Sequence, residues 1–398
     1  MTLNRRGFLG AVPIASLALA SGRAQAQYAS AAAAAPAAAP VAVPAAIPAA
    51  VSDYDTLVQL SGDALPRNPM AEPARLQALL DKHAKPVDGY LAGGAVTELE
   101  ARFSSLLGKE DTVFMPTGTL ANHVALRLLC GDNKHALVQQ ESHVYRDESN
   151  TVTTLSGINL VPLAPGRAAP SLDEVAAAIE RAEVGPYPIK VGAIALESPV
   201  RRAQGAALSP VLVADIARLA RAKNIRLHLD GARLLLMSGM PGFGVQAYCA
   251  HFDTVYVSLY KYLGAPFGGV LSGPKPLMAK ARELRHIFGG TIYHGWQAAL
   301  PALDALDGAE QRFADVRAAG ERLLAGLERT PGFKVQRVEN GSNLAVLEIA
   351  PERLAGLDER LRRAKVRIGK ISEGKVQLGF NESILRRDTA ILLKILAG

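Results

Sequence analysis

The stretch from Leu227 to Phe267 opens on His228-Leu229-Asp230-Gly231-Ala232-Arg233 and closes on Ser258-Leu259-Tyr260-Lys261-Tyr262-Leu263-Gly264-Ala265-Pro266. Asn224 to Leu229 reads as a short buried strand. Asp230 then falls at its C-terminal edge, where open α/β sheets bind ligands. Asp253 to Leu259 (DTVYVSL) reads as a second apolar strand, and Lys261 comes just after its end. The pattern therefore expects a carboxylate and an amine, 31 residues apart in sequence, at neighbouring strand ends.

Such a pair suits pyridoxal phosphate. The lysine forms a Schiff base with the coenzyme, and the carboxylate keeps the pyridine nitrogen protonated so that the ring can take up electrons. A buried aspartate paired with a helix end, beside a surface lysine, fits the same spacing. Spacing alone leaves both open.

Working outward, Thr112 to Met115 is a strand, followed by Pro116-Thr117-Gly118-Thr119 and a helix from Leu120 to about Leu129. A strand, a small Gly/Thr turn and a helix start make an anion pocket, with backbone N–H groups and the Thr117 and Thr119 hydroxyls aimed at one spot. A merely capped helix has the same appearance. Ala136-Leu137-Val138 leads to Glu141-Ser142-His143, and a histidine just past a strand can stack on a flat cofactor or be structural. Leu172 to Ala182 is an amphipathic helix, Val191 to Leu196 a buried strand ending at Glu197, and Ser209-Pro210 opens a helix to Lys223. From Thr112 to Val270 strand and helix alternate, which argues an α/β fold with a mostly parallel sheet wound on both faces.

Beyond Gly273 the chain turns helical, over Leu277–Phe288 and Trp296 to about Leu327. Strands at Phe333–Val338 and Asn343–Ile349, a basic helix over Glu352–Lys365 and a last helix complete a smaller α+β unit. Upstream lie an extended arm (Val58 to Asp63), a helix from Pro73 to His83, and a glycine-rich loop from Asp88 to Gly94. Thr97 is expected to cap a helix running through Leu107 to Gly108.

The 398 residues, 49% hydrophobic and 20% charged, are ample for a large core and two domains. The N-terminus stands apart. Asn4-Arg5-Arg6-Gly7-Phe8-Leu9 is a twin-arginine pattern, followed by a weakly apolar run from Ala11 to Ala20 and a small-x-small cleavage site, Ala24-Gln25-Ala26. The apolar run is too short for a permanent membrane anchor, and export by this route implies a periplasmic protein. The domain expectation is a signal peptide over 1–26, an Ala/Pro-rich linker over 27–52, a large domain with its N-terminal arm over 53–310 and a small domain over 311–398. Removing residues 1–26 takes away Arg5, Arg6 and Arg23 and no acid, leaving 41 basic against 37 acidic side chains, a mild balance that gives no reason to invoke nucleic acid. Cys130 and Cys249 are far apart, and an oxidising compartment would permit a bridge, although apolar flanks favour buried thiols. No Cys/His cluster has zinc spacing, so no metal is expected.

Together these motifs resemble the threonine aldolase (aromatic amino acid β-eliminating lyase) family of fold-type-I pyridoxal-phosphate enzymes, over about Ser61 to the C-terminus. The most specific part is HLDGAR followed by the lysine of S-x-x-K-x-L-G-A-P, with P-T-G-T-x-A-N upstream. The resemblance implies Lys261 as the Schiff-base lysine, Asp230 on the pyridinium nitrogen, and His143 stacked on the ring. It also implies Arg233 near the ring oxygen and substrate carboxylate, and Gly118 and Thr119 on the phosphate. Ser61, in the arm matching the family's S-D-T, would touch the substrate carboxylate. Tyr90 lies in a loop that reaches toward the site in related enzymes, often from a partner subunit, so a homodimer or homotetramer is implied. The implied reaction cleaves a β-hydroxy-α-amino acid of the threonine type to glycine and an aldehyde. Expulsion of a β-leaving group from another amino acid is the alternative.

Three departures stand out. Where the family reads E-N-T-H, with a histidine that the resemblance implies near the substrate hydroxyl, this chain has Glu197-Ser198-Pro199-Val200-Arg201, then Arg202. Where it reads G-G-G-M-R, this chain has Gly289-Gly290-Thr291-Ile292-Tyr293-His294. Gln377 stands where a V-R-L arginine would clamp the α-carboxylate, and an amide cannot replace a bidentate guanidinium. These leave open a catalytically inactive binding protein on the same fold. Ser258-Leu259-Tyr260-Lys261 also fits the S-x-x-K of penicillin-recognising serine enzymes, but the S-x-N and K-[ST]-G partners are not present downstream in usable form.

Overall fold

A computed structural model describes residues 53–398. The twin-arginine segment and the Ala/Pro-rich tether lie outside the described residues, which form one compact unit. An arm strand, β1 (Val58–Leu60), precedes seven strands: β2 (Asp111–Met115), β3 (His135–Gln139), β4 (Asn159–Leu163), β5 (Val191–Glu197), β6 (Arg226–Asp230), β7 (Thr254–Ser258) and β8 (Gly269–Gly273). These seven form one sheet in the order β2-β8-β7-β6-β5-β3-β4. Only β8 runs against its neighbours, pairing antiparallel with β2 and β7. The fold is thus α/β with a mostly parallel sheet.

The strand sequences explain their places. All seven residues of β5 (VGAIALE) are buried, as expected of a central strand covered by helices on both faces. Two strands escaped the sequence pattern. β4 (NLVPL) carries a proline and lies at an edge, where a missing N–H costs no ladder bond. β8 (GVLSG) has the composition of a turn. It is a strand because its glycines admit the Tyr256 ring, whose Cε2 lies 2.5 Å from where a Cβ on Gly269 would be.

Around this sheet a large apolar core joins the helices Gly94–Leu107, Leu172–Glu183, Pro210–Ala222 and Trp296–Leu306. A second core gathers Val58 and Leu60 of the arm with β9 (Phe333–Gln336), β10 (Leu344–Ile349), β11 (Val366–Ile368), β12 (Lys375–Gly379) and the final helix, Thr389–Ala397. The arm belongs structurally to this second core, because β1 pairs in parallel with β11. One helix, Ala309–Glu328, serves both: Phe313 packs in the first core, and Val316 to Leu327 pack in the second.

Several boundaries differ from the sequence expectation. The helix expected behind Thr97 starts at Gly94, and Thr97 Oγ1 instead accepts the Gly93 N–H at 2.9 Å. Two consecutive glycines let the chain turn a full turn earlier; a Cβ on Gly94 would lie 2.5 Å from the Val87 carbonyl oxygen. The long helix from Trp296 is broken at Gly308 (φ 65°), and the basic helix over Glu352–Lys365 is broken at Gly356 (φ 69°). Cys130 and Cys249 are both buried free thiols, and burial pushes each up to about 12.

Candidate active site

Register brings the site together. On neighbouring strands Glu197 of β5 stands opposite Asp230 of β6, and Asp230 opposite Tyr256 of β7. Three polar side chains therefore crowd the C-terminal edge of the sheet. The β7–β8 connection adds Lys261, and the helix after β2 adds its N-terminus at Gly118. A cavity of about 420 Å³ is lined by Thr117, Gly118, Thr119, Asn122, His143, Asp147, Glu197, Asp230, Arg233, Tyr256 and Lys261. Seven of the nine residues expected from sequence thus face one space.

The floor of this cavity is a chain of directed hydrogen bonds. Asn122 lies one turn into the helix that starts at Gly118. Its Nδ2 donates to Asp230 Oδ2 and to Glu148 Oε1, each at 2.8 Å, and its Oδ1 accepts from His228 Nε2 at 3.0 Å. Because Asn122 Oδ1 only accepts, His228 carries its proton on Nε2, and its Nδ1 accepts from the Thr254 hydroxyl at 2.9 Å. Burial holds His228 neutral, down to about 4. From the other side His143 Nδ1 donates to Glu148 Oε1 at 2.9 Å. Hydrogen bonding to Glu148 raises the His143 pKa, with Asp230 and Glu197 adding to the effect. Ligand atoms of His143, Glu148 and Asp230 all lie within 4.8 Å of one another, but the Asn122 amide already occupies the space between the two carboxylates. The donors run from Thr254 to His228 to Asn122, with His143 on the other side, and the chain terminates on Asp230 and Glu148.

Glu197 accepts backbone N–H groups from His143 at 2.6 Å and Arg201 at 2.9 Å. Burial, with Asp230 beside it, pushes its carboxyl up to about 7. Lys261 Nζ lies 3.0 Å from the Tyr260 hydroxyl. Thr117 caps the Gly118 helix, its Oγ1 accepting from Leu120 N at 3.2 Å.

These residues fit pyridoxal phosphate. A Cβ on Gly118 would lie 2.3 Å from Tyr256 Oη, so only glycine lets the turn close over that hydroxyl. Tyr256 Oη and Ser258 Oγ are buried with no hydrogen-bond partner, which leaves donors spare beside a helix N-terminus suited to a phosphate. At the other end Asp230 is fixed by two donors, the Asn122 amide and the Ala232 N–H at 3.1 Å. An acid held in this way suits a pyridinium nitrogen, and Lys261 supplies the amine.

Two expected residues are elsewhere. Ser61 does not line the cavity; its backbone carbonyl accepts from Gln59 and Asn381. Two residues later Asp63, itself off the cavity wall, accepts from Arg233 Nε at 2.7 Å. The S-G-D of this arm thus acts on the site through its acid and Arg233 rather than through its hydroxyl. Tyr90 is 64% exposed, sits at φ 52° and packs edge-on against Tyr293 at 5.1 Å, away from its own chain's cavity.

The departures also have positions. Val200 is fully buried and faces the core. Arg201 and Arg202 both bond Asp147. His294 Nδ1 bonds the Asp88 carbonyl, and the Asp88 carboxylate accepts the Gly295 and Trp296 N–H groups, tying this loop to the Tyr90 loop. Gln377 is an exposed residue of β12. Sequence reasoning missed Asn122, Asp147, Glu148, Tyr256 and Ser258 as site residues. The one available signal was Asn122 itself, which closes the P-T-G-T-x-A-N turn one helical turn after Gly118.

An ionisable amine and a carboxylate on one cavity, with a phosphate cradle, on this scaffold define a fold-type-I pyridoxal-phosphate enzyme. Comparison with known proteins narrows this: residues 82–350 match the beta-eliminating lyase family, and the chain belongs to it. It is a pyridoxal-phosphate-dependent lyase. It is 28% identical over 298 residues to the low specificity L-threonine aldolase of Escherichia coli O157:H7, covering 74% of this chain and 86% of that one. It is 30% identical over 223 residues to the low-specificity L-threonine aldolase of Candida albicans, covering 55% and 58%. The fold matches a structure from Exiguobacterium sp. 255-15, solved under the name aromatic amino acid beta-eliminating lyase/threonine aldolase. There the TM-score is 0.72 at 24% identity, covering 87% of this chain and 98% of that one.

Proposed function

We propose that this enzyme cleaves the Cα–Cβ bond of a β-hydroxy-α-amino acid of the threonine type, giving glycine and an aldehyde. The observation that carries it is the placing of Lys261, Asp230 and His143 on one cavity, supported by the threonine aldolases among its relatives. When bound, pyridoxal phosphate accepts the electrons of the broken Cα bond into its ring. The chain's own residues do the rest. Lys261 holds the coenzyme through Nζ and is placed to exchange a proton with the substrate α-carbon. Asp230, kept as an acceptor by Asn122 and Ala232, would hold the proton on the ring nitrogen. His143, oriented by Glu148, would cover one face of the ring. Arg233, its Nε given to Asp63, would meet the substrate carboxylate with its remaining N–H groups.

The direct test is glycine release from L-threonine, L-allo-threonine and phenylserine by the coenzyme-loaded protein, and its loss in Asp230→Ala, which keeps some coenzyme. Pyruvate or another keto acid appearing in place of glycine would favour β-elimination. We propose further that the protein acts as a homo-oligomer, with the Tyr90 loop serving a second copy's site. Supporting this, Tyr90 and Tyr293 pair as exposed aromatics on a loop braced by Asp88. Export to the periplasm rests on residues 1–26 and is read by fractionation of expressing cells.

A further inference from the structure

The histidine that the resemblance implies near the substrate hydroxyl falls at Val200 here, which is fully buried in the apolar core and is not one of the cavity's lining residues. Two acids on the cavity wall have no role assigned in the proposed reaction. Glu197 is taken up by the His143 and Arg201 backbone N–H groups; the other is Asp147, which follows directly on the short helix His143–Arg146. Two arginines immediately after Val200 grip it. Arg201 Nη2 donates to Asp147 Oδ2 at 3.2 Å, Arg202 Nε donates to the same oxygen at 3.0 Å, and Arg202 Nη2 donates to Oδ1.

The grip is itself anchored. The Arg201 N–H donates to Glu197 Oε1 at 2.9 Å, and the Asp147 N–H donates to the His143 carbonyl at 2.8 Å. Both sides of the contact are therefore fixed to the strand ends that build the site. The Arg202 hydrogen bond, helped by Arg201 and His143, holds the Asp147 carboxyl down to about 2. At any working pH it is an anion that can only accept.

We propose that Asp147 accepts the hydrogen bond of the substrate β-hydroxyl and orients that hydroxyl for cleavage, in the place left by the missing histidine. The proposal rests on the Cα–Cβ cleavage reading and sharpens its substrate class. An acceptor-only anion selects a donor on Cβ, so amino acids bearing a free β-hydroxyl bind better than isosteres without one. Asp147 is too weak a base to keep the proton, which passes to water as the aldehyde carbonyl forms; Asp147 is therefore a positioning residue, and the arginines keep it charged.

The test uses the coenzyme-loaded protein and calorimetric titration with L-serine and L-alanine, which differ only in the hydroxyl. A hydrogen bond to a charged acceptor predicts about a tenfold preference for serine or more. In Asp147→Ala the preference collapses toward parity. Asp147→Asn, whose amide oxygen still accepts, keeps part of it and guards against simple misfolding. In the Arg201→Gln/Arg202→Gln double variant the preference survives near neutral pH and fades in acid, a pH dependence that a purely structural aspartate would not create. An unchanged serine-to-alanine ratio in Asp147→Ala overturns the proposal. Because the ratio is a binding measurement, it stands whether or not glycine is released from threonine, so failure of the cleavage reading shows separately.

Discussion

Replacing Asn122 with alanine probes the floor of the site most severely. The change deletes three hydrogen bonds at once: two at 2.8 Å to the carboxylates of Asp230 and Glu148, and one at 3.0 Å from His228. All four residues are buried. Glu148 Oε2 already lacks a partner, so the network has no spare donor to re-satisfy what is lost. Asp230 Oδ2 and the His228 Nε2–H are left without a partner, while Glu148 Oε1 keeps His143; each buried polar group left unpaired costs about 1–3 kcal/mol, so the two predict a loss of about 2–6 kcal/mol, less whatever water entering the vacated space recovers. Against a typical domain stability of about 5–15 kcal/mol this is a large fraction. Urea unfolding of the coenzyme-free protein reads it as a lower midpoint at unchanged slope. The same variant binds coenzyme more weakly, because Asp230 has lost the donor that orients it. A stability change below about 1 kcal/mol together with unaltered coenzyme affinity would refute the network as drawn.

Two further outcomes follow from the charges. Glu148→Gln removes the anion that raises the His143 pKa, so the limb of the kcat profile belonging to His143 moves to lower pH; an unmoved limb would separate His143 from the rate. His228 is held neutral down to about 4, whereas in the unfolded chain it titrates near its ordinary value of about 6.5. Its folded pKa is the lower one, so its contribution is complete above about 6.5 and is lost as pH falls toward 4, by up to about 3 kcal/mol. The stability difference between the wild type and His228→Gln, followed from neutral to acid pH, should shrink across that window, and a constant difference would contradict it.

How much of this was legible in the sequence follows from range. Asp230 and Lys261 could be found because each ends a short apolar run, and a strand end is a local property. The phosphate turn could be found because Thr117-Gly118-Thr119 sits between a strand and a helix. The arm was readable as an arm, but not which of its side chains serves the site: Gly62, at φ 73°, turns the chain between Ser61 and Asp63, so the two do not share the facing an extended run would give them. The contact of Gly118 with Tyr256 joins residues on β2's helix and β7, which β8 separates in the sheet. The crowding of Glu197 against Asp230 depends on β5 lying beside β6, and no periodicity encodes strand order. Asp147 was invisible for the same reason, since Arg201 and Arg202 are 54 and 55 residues away.

The central claim is that one cavity brackets a single coenzyme between the amine of Lys261 and the carboxylate of Asp230. The most direct measurement loads the protein with pyridoxal phosphate, reduces it with borohydride and maps the modified peptide by mass spectrometry. The account predicts the coenzyme's mass on Lys261 alone, with the visible absorbance band lost in Lys261→Ala. Label on another lysine, or a protein that stays colourless and unlabelled after reconstitution, would contradict it.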